Sequence, residues 1–502
     1  MSMHAIYGGI DLGTQGVRVS LFDATGALKA AALRAWPIPD MTSDLHEQDA
    51  QEWWKRLVEA GDEAFASLTA AERAAVSGLA VASTSGSLLV CDAAGRPLRP
   101  AILYSDRRSL PESAACNEAS GMHFRPTFSL PKLLWIRGHE PNIWKRTRHA
   151  LHPADWLTGQ LCGQWGHSDE TNVLKLGYDL EKRCWPAWLD ALNIPADLLP
   201  QVQPSGRVVG CLLPKLARRW HLGRNVIIAS GITDSNAVHL SSGSVAEGEW
   251  TTTIGTAMGI KGIAARPVQD QTGSIYSHRH PDGSWIVGGA SNVGGAALNR
   301  RFGLAVLQEL EPWLPRSTTH LVYPLEGAGD WFPLWLPGGR RFVAGASPGR
   351  EASLLATYEG IAFVERLAYE RLEKFGLRIR RVTAAGGTNL SQAFLTIRAT
   401  LLPAPLLTVE HCGAAKGAAL LAAMAVEGQP VSAITPRMVG TNRTVPADLT
   451  RHDYLTAKYQ RFVTLLRQRF GTPPPAYSPT PELIPKSHHA SGQFQTHVGS
   501  SP

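Results

Sequence analysis

Hydrophobic and polar positions alternate sharply in the first forty residues. Ile6 to Ile10 is a short apolar run, "DLGTQG" breaks it, and Val17, Val19 and Leu21 then alternate with Arg18 and Ser20. A period of two marks a strand with one buried face. "DATG" from Asp23 is a second turn signal, and Leu28 to Trp36 predicts a third strand. The period then lengthens. Trp53, Trp54, Leu57, Val58, Ala64, Phe65 and Leu68 fit one face of a helix, with Asp49 placed to cap it. "VSGLAVAST" predicts a buried strand, and "SLLVCDAAGRPLRPAILY" predicts strand, turn and strand.

The same alternation returns later. Val226 to Ala229 predicts a buried strand, "SGITDSN" a loop, and a helix starts near Asp234. "EWTTTIGTAMGIKGIAA", from Glu249 to Ala265, predicts strand, Gly-Thr turn and strand, in the layout of the opening hairpin. "RRVTAAGGTNLSQAFLTIRATLL" gives strand, Gly-Gly turn and helix. "AAKGAALLAAMAVEG" gives a small-residue helix ended by Gly428. Two halves that each open on a Gly-Thr hairpin imply a duplicated α/β domain with a cleft between the copies. The expected division is 1–241 and 242–471. Residues 472–502 are rich in Pro and Ser, lack periodicity and predict a flexible tail.

Composition narrows the class. The chain has 502 residues, 44% hydrophobic and 18% charged, enough for two or three packed domains. The net charge of +7 comes from scattered basic residues, so a nucleic-acid footprint is not expected. The six cysteines are far apart and form no C-x-x-C pair, which predicts reduced thiols. No signal-type segment and no run of 18 apolar residues occurs, so a cytoplasmic protein without membrane partners is expected.

The turns carry the candidate chemistry. Glycines let backbone N–H groups approach a phosphate, and a Thr hydroxyl adds a donor. Gly13, Thr14, Gln15 and Gly16 offer this in the first hairpin, and Thr253, Gly255, Thr256 and Gly259 in the second. Each alone is equally an ordinary tight turn. Their matching places in two halves point to a phosphate clamp. Neither G-x-x-x-x-G-K-[ST] nor G-x-G-x-x-G occurs. Asp11 beside such a turn either caps it or holds Mg2+ against phosphate oxygens. Asp234 either caps a helix or acts as a general base toward an alcohol. Gly386 and Gly387 could let a nucleoside lie on backbone, with Thr388 and Asn389 as hydrogen-bonding partners, or could form a plain βα turn. Ser85 and Gly86 in "STSGS" and Asp106 in "YSDRR" are candidates for reading a sugar; a Ser-rich loop and a surface ion pair are the alternatives.

Taken together these blocks resemble the FGGY carbohydrate kinases, a branch of the actin-like (ribonuclease H-like) fold that also holds heat-shock ATPases. The resemblance runs from about Tyr7 to Gly428. It rests on "GIDLGTQGVRVSLFD", "RPLRPAILYSDRR", "LPKLLWIRGHEP", "DWLTGQLCGQWGHSDETNVLKLGYD", "GITDSN", "TIGTAMG" and "GGTNLSQ". It implies two domains of mixed sheet flanked by helices around a cleft, with ATP and Mg2+ as cofactors. It implies Asp234 as the base, and Asp11 and Asp234 near the metal. Thr14 and Thr256 would lie on phosphates, and Gly386, Gly387 and Asn389 in the nucleotide pocket. Xylulokinases usually carry Gln-Met-His where this chain has "ASTSGSLL". "TSGSLLVCD", "GITDSN" and "GGASNVGGAALN" are more similar to D-ribulose kinases. D-ribulose is therefore the first expected substrate, D-xylulose or another ketose or polyol the second. An actin-like ATPase switch, or a sugar sensor without turnover, would need no such base. A homodimer is a further expectation.

Overall fold

The computed structural model describes residues 4–471, apart from 38–42, 269, 271, 328, 346–348 and 441; the expected tail, 472–502, lies outside the described residues. The alternating stretches at the start form three antiparallel strands, β1 (Ile6–Gly13), β2 (Gly16–Asp23) and β3 (Leu28–Ala35). Helix α1 (Ala50–Ala66) follows. The Asp49 side chain accepts from the Gln51 N–H and so satisfies one of the free donors at its start. Its Trp53, Leu57, Ala60, Ala64 and Phe65 pack on one face of the sheet. Strand β4 (Val76–Ser83) runs parallel to β1, with its residues almost all buried. Helices α2 (Ser129–His139) and α3 (Pro153–Cys162) come next, then β5 (Val208–Cys211), β6 (Ile227–Ala229), β7 (Ile232–Thr233) and α4 (Asp234–Ser241). The sheet order is β5-β6-β4-β1-β2-β3, with β7 also paired to β4.

The second half repeats this plan. Its strands are β8 (Glu249–Ile254), β9 (Met258–Ala264), β10 (Ile275–Arg279), β11 (Trp285–Ser291), β12 (Arg381–Ala385), β13 (Leu406–Thr408) and β14 (Arg443–Thr444). They lie in the order β10-β11-β9-β8-β12-β13-β14. Within it, β11-β9-β8-β12-β13 has the pairing directions of β3-β2-β1-β4-β6: antiparallel twice, then parallel twice. Strand β10 is an addition at the outer edge. Helices α5 (Arg350–Lys374) and α6 (Gln392–Leu401) pack in the large second core. Arg398 on α6 and Glu365 on α5 form a two-pronged ion pair there, both side chains fully buried.

Two details differ from the sequence expectation. The first is the hairpin, whose ladder runs on to Leu12 opposite Val17 and Gly13 opposite Gly16. Asp11 is therefore a strand residue, not a turn residue, and only Thr14 and Gln15 form the tip. The second is helix α7 (Ala414–Glu427), the small-residue helix of the second half. It packs on β1 and β4 of the first half and against α4. Its Ala418, Ala419 and Ala422 share a core with Tyr7, Ala80, Ala82 and Ala237.

Small side chains are obligatory at this contact. A Cβ on Gly9 would sit 1.6 Å from the Ala415 carbonyl oxygen, and one on Gly417 would sit 1.9 Å from that of Ala237. Both obstacles are backbone, so neither can swing aside. Gly417→Ala is expected to cost about 1–3 kcal/mol through overpacking. Thermal unfolding should show a Tm several degrees lower, and an unchanged Tm would contradict this packing.

Candidate active site

Strand β7 and helix α4 place Asp234. Pairing of Ile232 and Thr233 with β4 carries the chain to the cleft end of the first sheet. The cap position of α4 is Thr233, and Asp234 is the first helical residue, its Oδ1 accepting only from the next residue's N–H, at 2.6 Å. The capping role weighed for Asp234 thus falls away, and its carboxylate is left for the cleft. The backbone before it is braced. The Thr233 N–H donates to Thr171 Oγ1 at 2.9 Å, and that hydroxyl donates to Asp169 Oδ1 at 2.5 Å. Asp169 also takes the N–H of Thr171 and the side-chain amide of Asn172. The "SDETN" block therefore acts as a buried clamp behind Asp234, a role its sequence did not announce.

Asp11, on β1, faces Asp234. Burial first, and the Asp234 charge second, push the Asp11 carboxyl up to about 6. Burial also raises Asp234, although the Ser235 N–H, Lys175 and Lys261 pull the other way. Two buried carboxyls that repel each other are what a divalent cation relieves. Among the described residues no group of three or more His, Cys, Asp or Glu side chains could hold a metal alone. That suits Mg2+, which takes few protein carboxylates and fills its shell with water and phosphate oxygens.

The two hairpin tips differ in how they are held. The Thr14 carbonyl accepts from Trp36 Nε1 and Gln48 Nε2, and its hydroxyl donates to Tyr104 Oη at 3.2 Å. Gln15 is exposed. At the second tip, the Gly255 and Thr256 carbonyls accept the N–H groups of Gly295 and Ala296, leaving both residues exposed on the outer side. Gly386 lies against this hairpin with φ of +95°; a Cβ there would meet the Ile254 carbonyl oxygen at 2.4 Å. Cβ atoms on Gly255, Gly387 and Gly413 would meet nothing within 4 Å. The backbone at each of these three glycines is open to approach. Asn389 Oδ1 is buried without a partner. Bare backbone plus one waiting acceptor fits a nucleoside. The Thr388 side chain lies outside the described residues, and Ser391 is the cap of α6, as the βα-turn alternative required.

The sugar-side candidates separate. Ser83 Oγ accepts the Ala154 N–H and Ser87 Oγ the Tyr104 N–H, so both are structural. Ser85 Oγ is buried and unpartnered. Gly86 has φ of +89°, and its carbonyl accepts from Lys132. Asp106 departs from its expected role. It is fully buried, and its oxygens are taken by the Arg108 fork and by the N–H groups of His46 and Arg108. Burial pushes it up, yet these donors outweigh burial and hold it below the usual carboxylate range. With no free acceptor left for two hydroxyls, it is a brace for the strand end.

Three lysines complete the site, and none stood out in the sequence. Lys132 Nζ donates to the carbonyls of Gly86, Leu103 and Thr127 at 2.7–2.8 Å. Burial pulls its pKa well down, but three acceptors match the three donors of the charged form. Lys175 Nζ donates to the Ser85 carbonyl at 3.3 Å, and Lys261 Nζ is buried without a partner. Only their places in "LPKLL", "NVLKL" and "GIKG" could have flagged them.

Comparison with known proteins accords with this geometry. Residues 6–241 match the N-terminal domain model of the FGGY family of carbohydrate kinases, and residues 252–426 match the C-terminal domain model. The chain belongs to the FGGY carbohydrate kinase family. It is 26% identical to the xylulose kinase of Bacillus subtilis over 83% of this chain and 87% of that one. It is 30% identical to the glycerol kinase of Thermus brockianus over 79% and 85%. A crystal structure of a xyloylose kinase from Brucella ovis superposes with a TM-score of 0.85 at 27% identity, covering 92% of this chain and 99% of that one. The chain is thus a phosphotransferase acting on sugar hydroxyls, with the two-domain α/β fold of that family. Among the described residues no helix is long and apolar enough to cross a membrane.

Two outcomes follow from the site's charges. A raised carboxyl loses its charge as pH falls through its folded pKa, so Asp11 is neutralised near pH 6 and Asp234 above the ordinary carboxylate range. The acid limb of kcat/KM is expected near pH 6, well above the ordinary carboxylate pKa of about 4; a limb near 4 would contradict the burial of Asp11 beside the Asp234 charge. Lys132→Met removes the Lys132 donors to Gly86, Leu103 and Thr127, leaving Leu103 only the Asp106 N–H, and should cost about 1–3 kcal/mol, measurable by urea unfolding; an unchanged midpoint would contradict the cage.

Proposed function

We propose that this chain transfers the terminal phosphoryl group of ATP to a terminal hydroxyl of a ketopentose, D-ribulose first and D-xylulose second. The observation that carries the reading is Asp234: a braced helix-start carboxylate, free of capping duty, aimed into a cleft that also holds Asp11. Ser85, whose hydroxyl has no other partner, supports a polyhydroxylated acceptor on the first-domain side. The absence of Gln-Met-His at the "ASTSGSLL" segment favours D-ribulose. The named xylulose kinases among the relatives favour D-xylulose.

In this mechanism Asp234 aligns the hydroxyl and accepts its proton as the oxygen attacks phosphorus. Gly13, Thr14 and Gln15 at one tip, and Gly255 and Thr256 at the other, present backbone and hydroxyl donors to the phosphates. Gly386, Gly387, Thr388 and Asn389 receive the nucleoside. Asp11, with Asp234 nearby, would hold Mg2+, which when bound neutralises phosphate charge. Contacts across the cleft rim limit water entry: Arg125 Nη2 donates to the Gly273 carbonyl, and Arg279 Nε to that of Leu180. Keeping water out matters because it competes as the acceptor.

Asp234→Ala is expected to lower kcat by at least about 10²–10⁴-fold while ATP binding, read by calorimetry, stays close to that of the parent. Substantial turnover in that variant would remove Asp234 from the role. A ketose panel scored by kcat/KM ranks D-ribulose against D-xylulose. Sugar-independent ADP release would instead support an ATPase switch.

A further inference from the structure

The second half holds a cavity that none of the site residues above lines. It measures about 320 Å³ and is bounded by the end of the short helix Ala296–Arg301, the paired strands Leu321–Tyr323 and Phe342–Ala344, and the start of α5. Arg301, Arg341 and His320 line it together with Phe302 and Val322. Arg341 is the anomaly. Its Nε is buried without a partner, and among the described residues its guanidinium has neither a hydrogen bond nor an ion pair. The charges acting on it are those of Arg301 and Glu326. Glu326 is already engaged: Arg301 donates to its Oε1 from Nε at 2.9 Å and holds Nη2 2.8 Å away, and Arg300 stands 3.9 Å from Oε2. Burial, then the Arg301 charge, holds the Arg341 pKa below the usual arginine value. A guanidinium nevertheless stays charged, and a buried charge without a partner is costly.

The remaining lining narrows what could match that charge. Ser353 and Thr357 contribute to the cavity from α5. Ser353 Oγ donates to the Gly349 carbonyl at 2.7 Å, and Thr357 Oγ1 to the Ser353 carbonyl at 2.8 Å. With their protons spent, both oxygens are left as acceptors, so a ligand must bring hydroxyl donors to them. Two guanidinium forks suit the oxygens of a phosphate. The volume suits a small molecule rather than a chain. The same short helix also reaches the cleft. The N–H groups of Gly295 and Ala296, at its start, hold the carbonyls of Gly255 and Thr256, and Arg301 ends it. An anion that draws Arg301 from Glu326 therefore acts on the helix that holds the second hairpin tip.

We propose that this cavity is an effector site for a small polyhydroxylated phosphate monoester, separate from the catalytic cleft. Its phosphate sits between Arg301 and Arg341, and its hydroxyls donate to Ser353 and Thr357. The helix Ala296–Arg301 couples it to ATP binding. Effector and ATP then change each other's affinity by the same factor. A sugar kinase makes molecules of this class, so the site answers to the chemistry of the enzyme's own product.

The test is a calorimetric titration of D-ribose 5-phosphate into the parent and into Arg341→Met. Each is first saturated with a nonhydrolysable ATP analogue and the better ketose, so that the cleft is filled. The parent should still bind the ester at a single site, and Arg341→Met at least about tenfold more weakly. In steady-state assays the ester should shift the parent's KM for ATP at least about twofold and leave that of Arg341→Met where it was. Without the ester, kcat/KM should be the same in both. No binding to the filled parent, or equal binding by Arg341→Met, overturns the inference. Equal affinity for D-ribonate, a carboxylate of similar size, overturns the choice of phosphate. Binding that leaves KM for ATP unmoved overturns the effector role. Turnover without the ester reads the kinase function separately, so each of these failures leaves that reading standing.

Discussion

The architecture depends on how closely two pieces of backbone approach. Strand β1 touches helix α7 at Gly9, and helix α4 touches it at Gly417, with no room for a Cβ at either point. This contact fixes the first sheet against a helix from the second half. It therefore sets the spacing between the two hairpin tips that face each other across the cleft. Alanines around the contact fill the remaining space without pushing the elements apart. Tyr7 adds a polar tie, donating from Oη to Glu427 at the far end of the helix.

From that frame the site is assembled by short extensions of sheet. Asp11 is on β1 and Asp234 follows β7, and both strands pair with β4. Their carboxyls come within electrostatic reach because both strands end beside the same end of β4. The proposed nucleotide side is built likewise in the second half, where Gly386 follows β12 and Gly255 follows β8, a neighbouring pair. In the proposed mechanism the first half supplies charge and the second half bare backbone.

Much of this was readable along the chain. The alternation at Val17–Leu21, the helical spacing after Asp49 and the Gly-Thr echo at Ile254–Thr256 gave the duplicated plan, because period and turn chemistry are local properties. Asp234 was identifiable as a helix-start carboxylate. What escaped was long-range. Asp106 looked like a sugar ligand, but one of its oxygens is taken by the His46 N–H, on a segment sixty residues earlier. Lys132, Lys175 and Lys261 drew no reading, since nothing within a few residues reveals burial of an ammonium group. The path of α7 was hidden for the same reason. Its composition announced close packing, but not the sheet it packs on.

The docking of α7 on the first sheet bears on synthesis. Residues 414–427 emerge from the ribosome long after β1 and β4. Until then one face of that sheet, lined by Tyr7, Ala80 and Ala82, has only helix α4 to cover part of it. Apolar surface left bare during translation is where nascent chains associate wrongly. The first half can collapse early on α1, but its second face waits for nearly the whole chain. Burial of that second face therefore waits on the second half of the chain.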